Sequence, residues 1–201
     1  MKTFHVETPI SEQDVRGWRI GDIIYVTGLV VTARDAAHKR IVNYLRDKRP
    51  LPISANGLPI FHCGPLAMKV DGEWRILAAG PTTSMRMDSF EPEVIRHLSV
   101  RLVIGKGGMG ERTRKAMKEY GAAYAAFTGG AGALAASFIK RVVDVEWLDL
   151  GMPEALWTLE VEDFGPLIIG IDSHGGSLFE NVQSNARRMR DEIIKNFLRV
   201  C

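Results

Sequence analysis

The sequence predicts a layered α/β domain with one sheet partly antiparallel. Three features carry that expectation. First, β-rich and helix-like runs alternate through the middle of the chain, in the order "RLVIG", "ERTRKAMKEY", "AAYAAFT", "GGAGALAASFIK", "RVVDVEWLDL". Strand–helix–strand–helix–strand is the pattern of a right-handed parallel unit. Second, Asp71-Gly72 stands between two β-rich runs, the signature of a hairpin. Third, 201 residues, 46% hydrophobic and 25% charged, suit one soluble globular domain.

The elements follow in order. Residues 1–15 read as an N-terminal arm or an edge strand. "GWRIGDIIYVTGLVVTA" reads as two β-rich runs around a turn at Gly21-Asp22. "TARDAAHKRIVNYLRDKRP" reads as a helix, with Thr32 as N-cap, Asp35 completing a capping box and Pro50 beyond the end. Several strands are expected in "LPIFHCGPLAMKVDGEWRILAAGP", and a short helix capped by Ser89 in "SFEPEVIRHLSV". The small residues of "GGAGALAASFIK" fit a helix packed closely on a sheet. "ALWTLEVEDFGPLIIGIDSHGGSLFE" adds strand, and an amphipathic helix over 181–201 closes a single domain, 1–201.

Composition excludes several classes of function. A formal net charge of +2 gives no reason to expect a nucleic-acid partner. No apolar run is long enough to span a bilayer, and "MKTFHVETPISEQD" has no apolar signal-peptide core, so a cytoplasmic location and no membrane partner are expected. Two cysteines, Cys63 and Cys201, are too few for the thiolates that an iron–sulfur cluster normally needs. Cys63 reads as a buried thiol. His62 beside it would point to the opposite face of a strand, so a Cys-His pair is not expected.

Three separated segments offer a cation near a helix start. In "IGKGGMGERT", Gly105, Gly107 and Gly110 match G-x-G-x-x-G between a strand and a helix. The following strand lacks the acid that would bind a ribose, and the run is not a P-loop. Glycines, Lys106 and a helix N-terminus still make an anion site; the alternative is a solvated loop. In "TARDAAHKR", Arg34 lies in the first helical turn with His38 one turn on, as a ligand group or as plain surface charge. In "GPTTSMRMD", Thr82, Thr83 and Ser84 can cap a helix or donate to an anion. Arg86 is there either a two-pronged carboxylate ligand or the internal partner of Asp88. One phosphate rarely needs three such cations, whereas a small dicarboxylate would use all of them.

"RDAAH", "GPTTSMRMD" and "IGKGG", in this order and at these separations, resemble the β subunit of the iron–sulfur hydro-lyases. That family comprises two-subunit class I fumarases and L(+)-tartrate dehydratases, or the C-terminal domain where the two parts are fused. The likeness runs from about Gly21 to Phe179 and includes "GGAGALAA" and "LDLGMPEALWTLEVEDFGPLIIGIDSHG"; Pro153 departs from the family pattern. The resemblance implies a swivelling β/β/α domain: a partly opened barrel-like sheet with helices packed on one side. It implies a [4Fe–4S] cluster held by the α subunit, with no metal ligand on this chain, in a heterodimer or heterotetramer. Arg34, Arg86, Thr83 and Gly105 would bind substrate; Thr82 and Lys106 would be catalytic, with Thr82 as the proton-transfer candidate. Asp35 and His38 would orient Arg34, and Asp88 would pair with Arg86. The implied activity is reversible hydration of fumarate to malate, with tartrate dehydration as the alternative. A nicotinamide-binding oxidoreductase and a non-catalytic scaffold subunit remain as readings of other classes.

Overall fold

The computed structural model describes residues 1–200, with side chains through Lys195; Cys201 lies outside the described residues. The chain enters as an edge strand, β1 (Thr3–Glu7), paired in parallel with β2 (Ile23–Thr32). A short helix, α1 (Glu12–Gly17), stands between them behind a capping box of Ser11 and Asp14. The N-terminal segment is thus an edge strand and a capped helix, the second of its two expected forms. Of the two β-rich runs expected around Gly21, only the later one is a strand.

Helix α2 (Asp35–Arg46) follows, with Arg34 and not Thr32 as its N-cap residue. Thr32 is still in the sheet, where its hydroxyl accepts from Trp157 N at 3.3 Å. Glu154 does the capping instead, accepting from Ala36 N at 2.8 Å. A carboxylate at this position also meets the positive end of the helix dipole. Then come β3 (Ile60–Phe61) and the hairpin β4 (Leu66–Val70) and β5 (Glu73–Ala78). Its turn has Asp71 at φ 52° and Gly72 at φ 87°, the left-handed pair the sequence predicts.

A 3₁₀ turn, Ser84–Met87, leads into α3 (Glu91–Leu98), whose N-cap is Phe90 in place of Ser89. β6 (Leu102–Gly105), α4 (Glu111–Tyr120) and β7 (Ala123–Ala126) form the expected parallel unit. α5 (Gly132–Ser137) lies against the hairpin, where a Cβ at Gly132 would come within 3.3 Å of Gly80 N. That close approach accounts for the small residues of this segment. β8 (Ile139–Glu146) does not continue the parallel unit; it pairs antiparallel with β9 (Leu156–Ile171). α6 (Leu178–Val200) begins slightly before the expected start at 181.

β9 explains the architecture. Its 16 residues run antiparallel to β2 from Trp157 opposite Thr32 to Ile168 opposite Ile23. Its last part also pairs with β7, with Tyr124 opposite Ile171. Since β2, β3, β6 and β7 are parallel neighbours, β9 joins the two ends of that row into a five-stranded ring. Its first half pairs with β8 instead of β7, so the ring is open on that side. This is the partly opened barrel that the resemblance implies.

Phe61, Phe127 and Phe138 meet Phe164 inside the barrel at centroid separations of 5.2, 5.2 and 5.7 Å. On one outer side, Ile41 and Val42 of α2, Val94 and Ile95 of α3, and Ala116 and Met117 of α4 form a second core. Fully burying one such Ile contributes about 1.5–3 kcal/mol. No helix among the described residues is long and apolar enough to cross a membrane.

Candidate functional site

Three parallel strands end side by side: β2 at Thr32, β3 at Phe61 and β6 at Gly105. The residues just beyond them include Arg34, His62 and Lys106. Crevices outside the carboxyl ends of such strands are where open α/β sheets bind ligands. The Gly80–Asp88 segment crosses these ends. Thr82 N donates to His62 O at 2.7 Å, Ser84 N donates to Lys106 O at 3.0 Å, and Thr83 forms a parallel bridge with Lys106. The fold therefore brings the three cation-bearing segments together.

The side chains continue the connection. Arg86 Nη2 lies 2.6 Å from Asp35 Oδ2 and donates to Thr82 Oγ1 at 2.9 Å. Arg34 Nε lies 3.2 Å from Glu154 Oε1. Arg34 packs closely over Gly64, where a Cβ would sit 2.5 Å from Nη1. Arg86 and Asp35 are 46% and 40% exposed, so this site is an open face and not an enclosed cavity. A cleft of about 520 Å³ lies to one side, lined by Met85, Gly107, Met109, Leu178 and Phe179. It contains none of the three cations. Of the two methionines flanking Arg86, Met87 is fully buried and Met85 half-exposed.

Several expected pairings differ. Asp88 does not hold Arg86; its Oδ1 accepts from Gly110 N and from Thr113 Oγ1, both at 2.7 Å. Asp88 thus caps α4 from outside and ties the glycine loop to the Gly80–Asp88 segment. Asp35 holds Arg86 and not Arg34, while His38 reaches Arg34 through its backbone carbonyl at 2.9 Å. Gly105 is glycine for steric reasons: a Cβ there would fall 1.9 Å from Ser84 Oγ. Lys106 makes no ion pair among the described residues, and its chain passes over Gly129, where a Cβ would lie 3.4 Å from Lys106 Cδ.

Sequence reasoning missed Glu154, Glu91 and His62. Glu91 is fully buried, and its Oε2 lies 3.1 Å from His38 Nε2 and 2.9 Å from His62 Nε2. Burial opposes ionisation of Glu91, but the charges and hydrogen bonds of the two histidines outweigh it and hold its pKa at about 2. Burial likewise disfavours a charged His38, yet Glu91 and the Arg34 carbonyl raise its pKa above 6.5. For His62 burial prevails and the pKa falls. A Glu soon after "MRMD" and a His beside Cys63 were visible in sequence, but no local spacing joins residues 38, 62 and 91.

The donor set does not fit an iron–sulfur cluster. Such clusters take thiolates, and Cys63 is the single cysteine among the described residues. It is wholly buried in the barrel core, and burial pushes its thiol well above the usual range. Cys63→Ala should therefore leave turnover within about twofold of wild type per folded molecule. Steady-state kinetics with melting curves check this, and a hundredfold loss with the fold intact would give Cys63 a role in the site.

A family model described as Fumarase C-terminus matches residues 1–182. The chain is 46% identical over 189 residues to the L(+)-tartrate dehydratase subunit beta of Escherichia coli strain K12, covering 94% of this chain and 92% of that protein. It is 43% identical over 186 residues to a putative L(+)-tartrate dehydratase subunit beta of Methanocaldococcus jannaschii, covering 92% and 95%. It is 40% identical over 182 residues to a putative class I fumarate hydratase of Geobacillus stearothermophilus, covering 90% of this chain and 34% of that longer protein. The barrel closed by β9, the crossing Gly80–Asp88 segment and these similarities agree: the chain belongs to the Fumarase C-terminus family.

Proposed function

We propose that this chain is the β-type subunit of a two-subunit hydro-lyase acting on a four-carbon 2-hydroxy diacid, with malate and fumarate as the class I fumarase substrates. The observation that carries the proposal is the convergence of Arg34, Arg86 and Lys106 on adjacent strand ends. Elimination of water from such a diacid removes a proton beside a carboxylate, and negative charge grows on that carboxylate. Fixed cations around it favour the transition state over the ground state. Arg86 can grip a carboxylate in two-pronged fashion, and Lys106 supplies a point charge.

Thr82 is the proposed proton-transfer group. A threonine hydroxyl is a poor base at neutral pH, but the Arg86 guanidinium donates to its oxygen at 2.9 Å and stabilises the alkoxide form. Thr83, bridged to Lys106 at the same edge, is the proposed substrate contact beside it. Gly105 serves by letting Ser84 approach.

L(+)-tartrate is the second substrate reading. The near-full-length match to the Escherichia coli subunit favours it. The relatives named as beta subunits support an α-type partner, in a heterodimer or heterotetramer. We assign the [4Fe–4S] cluster to that partner, because the donors on this chain do not suit it; its open iron would take the hydroxide leaving group. Cytoplasmic placement belongs to the same reading. The test is anaerobic co-purification with an α-type partner, followed by assays with malate, fumarate and L(+)-tartrate. Turnover of at least one diacid is expected, and turnover of none would remove the proposal.

A further inference from the structure

Glu91 opens α3, yet its carboxylate faces inward and is fully buried with His38 and His62. Its Oε2 lies 3.1 Å from His38 Nε2 and 2.9 Å from His62 Nε2. His38 turns its other nitrogen, Nδ1, to the carbonyl oxygen of Arg34 at 2.9 Å. A carbonyl oxygen only accepts, and so does an ionised carboxylate. Both ring nitrogens of His38 then carry protons, and the ring is an imidazolium. His62 donates to Glu91 through Nε2, and its Nδ1 is left bare, buried and without a partner. One positive and one negative charge are thus sealed under the candidate site, beside a neutral second histidine.

Each histidine also holds a piece of that site. His38 grips the carbonyl of Arg34, and the carbonyl of His62 accepts from Thr82 N at 2.7 Å. Glu91 is the point at which these two grips meet. A buried ion pair of this kind gives little net stability against an apolar replacement. What it joins is the first turns of α2, through His38, to the residue after β3, through His62.

We propose that Glu91, His38 and His62 form a charged clamp that fixes the start of α2, at Arg34, relative to the end of β3, to which Thr82 is bonded, with His38 held as a buried imidazolium at neutral pH. Glu91 and the two histidines are positioning residues; none of them is placed to touch substrate. The catalytic half of the proposal rests on the hydro-lyase reading, whereas the protonation half does not. The charged and titratable groups facing His38 are Arg34 and Asp35 on its own helix, Glu91 on α3 and His62 after β3. Asp35 is itself paired with Arg86, and Glu154 meets the start of α2 from the turn before β9. The carboxylate is therefore the partner that decides whether His38 keeps its proton. Two imidazoles and a carboxylate with donor atoms within 4.8 Å of one another also describe a metal-ligand set. Two nitrogens at hydrogen-bond distance from one oxygen are accounted for by protons alone.

Nitrogen-15 NMR of the full chain, labelled at histidine and titrated across neutral pH, reads the clamp directly. One histidine should keep both ring protons above the ordinary histidine titration range, and another should be a neutral Nε2–H tautomer. Glu91→Gln should turn the first ring neutral. Two neutral rings in the wild-type chain at about pH 7, or a stoichiometric tightly bound metal, would overturn the proposal. The wild-type spectrum decides this even where the variant fails to fold. In the complex with the α-type partner, Glu91→Gln should lower kcat/KM by about tenfold and move the alkaline limb of its pH profile to lower pH. A lower Tm with an unmoved pH profile per folded enzyme would show a structural role only and overturn the positioning half. A complex inert toward every diacid would sink the hydro-lyase reading, and the NMR result would stand by itself.

Discussion

Replacing Arg86 with alanine should lower kcat/KM by roughly a thousandfold while changing Tm little. Two effects of very different size lead there. The Arg86–Asp35 ion pair is nearly half exposed on both sides, and such pairs contribute about 0–1 kcal/mol to stability. Catalysis loses more. Each charge-assisted hydrogen bond is worth about 1.5–3 kcal/mol, and Arg86 offers two prongs to a carboxylate besides its contact with Thr82 Oγ1. A loss of about 4 kcal/mol of transition-state stabilisation corresponds to roughly a thousandfold in rate. Arg86→Lys keeps the charge without the planar fork and should lose about ten- to a hundredfold. Kinetics with malate and L(+)-tartrate, beside melting curves, separate the two roles. Unchanged kcat/KM per folded Arg86→Ala enzyme would make the Gly80–Asp88 segment architecture only.

Glu91→Ala should give the largest stability loss. It leaves His38 buried and deprived of its counter-charge, and breaking a buried ion pair from one side costs about 3–5 kcal/mol. For a chain of this size that amounts to a fall in Tm of roughly 10 °C. The loss should depend on pH with a predictable sign. The folded-state pKa of Glu91 is depressed to about 2, so its contribution is present above the ordinary value of 4.5 and disappears as pH falls toward 2. The folded-state pKa of His38 is raised, so its contribution is full below the ordinary value of 6.5 and is lost as pH climbs through the folded value. The difference in Tm between wild type and variant should therefore be greatest between about pH 4.5 and 6.5. A difference that is flat from acid to alkaline pH would show that no ion pair is present.

The parts of the fold set by local pattern were legible in the sequence. The Asp71-Gly72 hairpin, α4 between β6 and β7, and the small-residue helix α5 all rest on spacing within a few residues. Closure of the barrel was not legible from pattern, because it depends on β9 pairing with β2 more than a hundred positions away. The start of α2 shifted because Thr32 is kept by the sheet and Glu154 reaches the helix from a distant turn, while α3 begins at Glu91 behind Phe90 with no side-chain cap. Arg34, Arg86 and Lys106 stood out as a set because cations near helix starts carry a local signature, and Thr82 stood out through the family resemblance. Their partners did not. Arg86 chose Asp35 over the nearer Asp88, which serves the start of α4. The Glu91 cluster joins three segments with no common motif, and burial, its defining property, is a property of the fold.

The most direct measurement compares diacid turnover by this chain alone, by the α-type partner alone and by the anaerobically prepared complex. The expected result is no turnover by either subunit and conversion of malate and fumarate, or of L(+)-tartrate, by the complex. Its kcat/KM should fall steeply when Lys106 or Arg86 is replaced in this chain. Full activity of the partner alone, or a complex indifferent to both replacements, would contradict the claim that this chain supplies the diacid-binding half of the site.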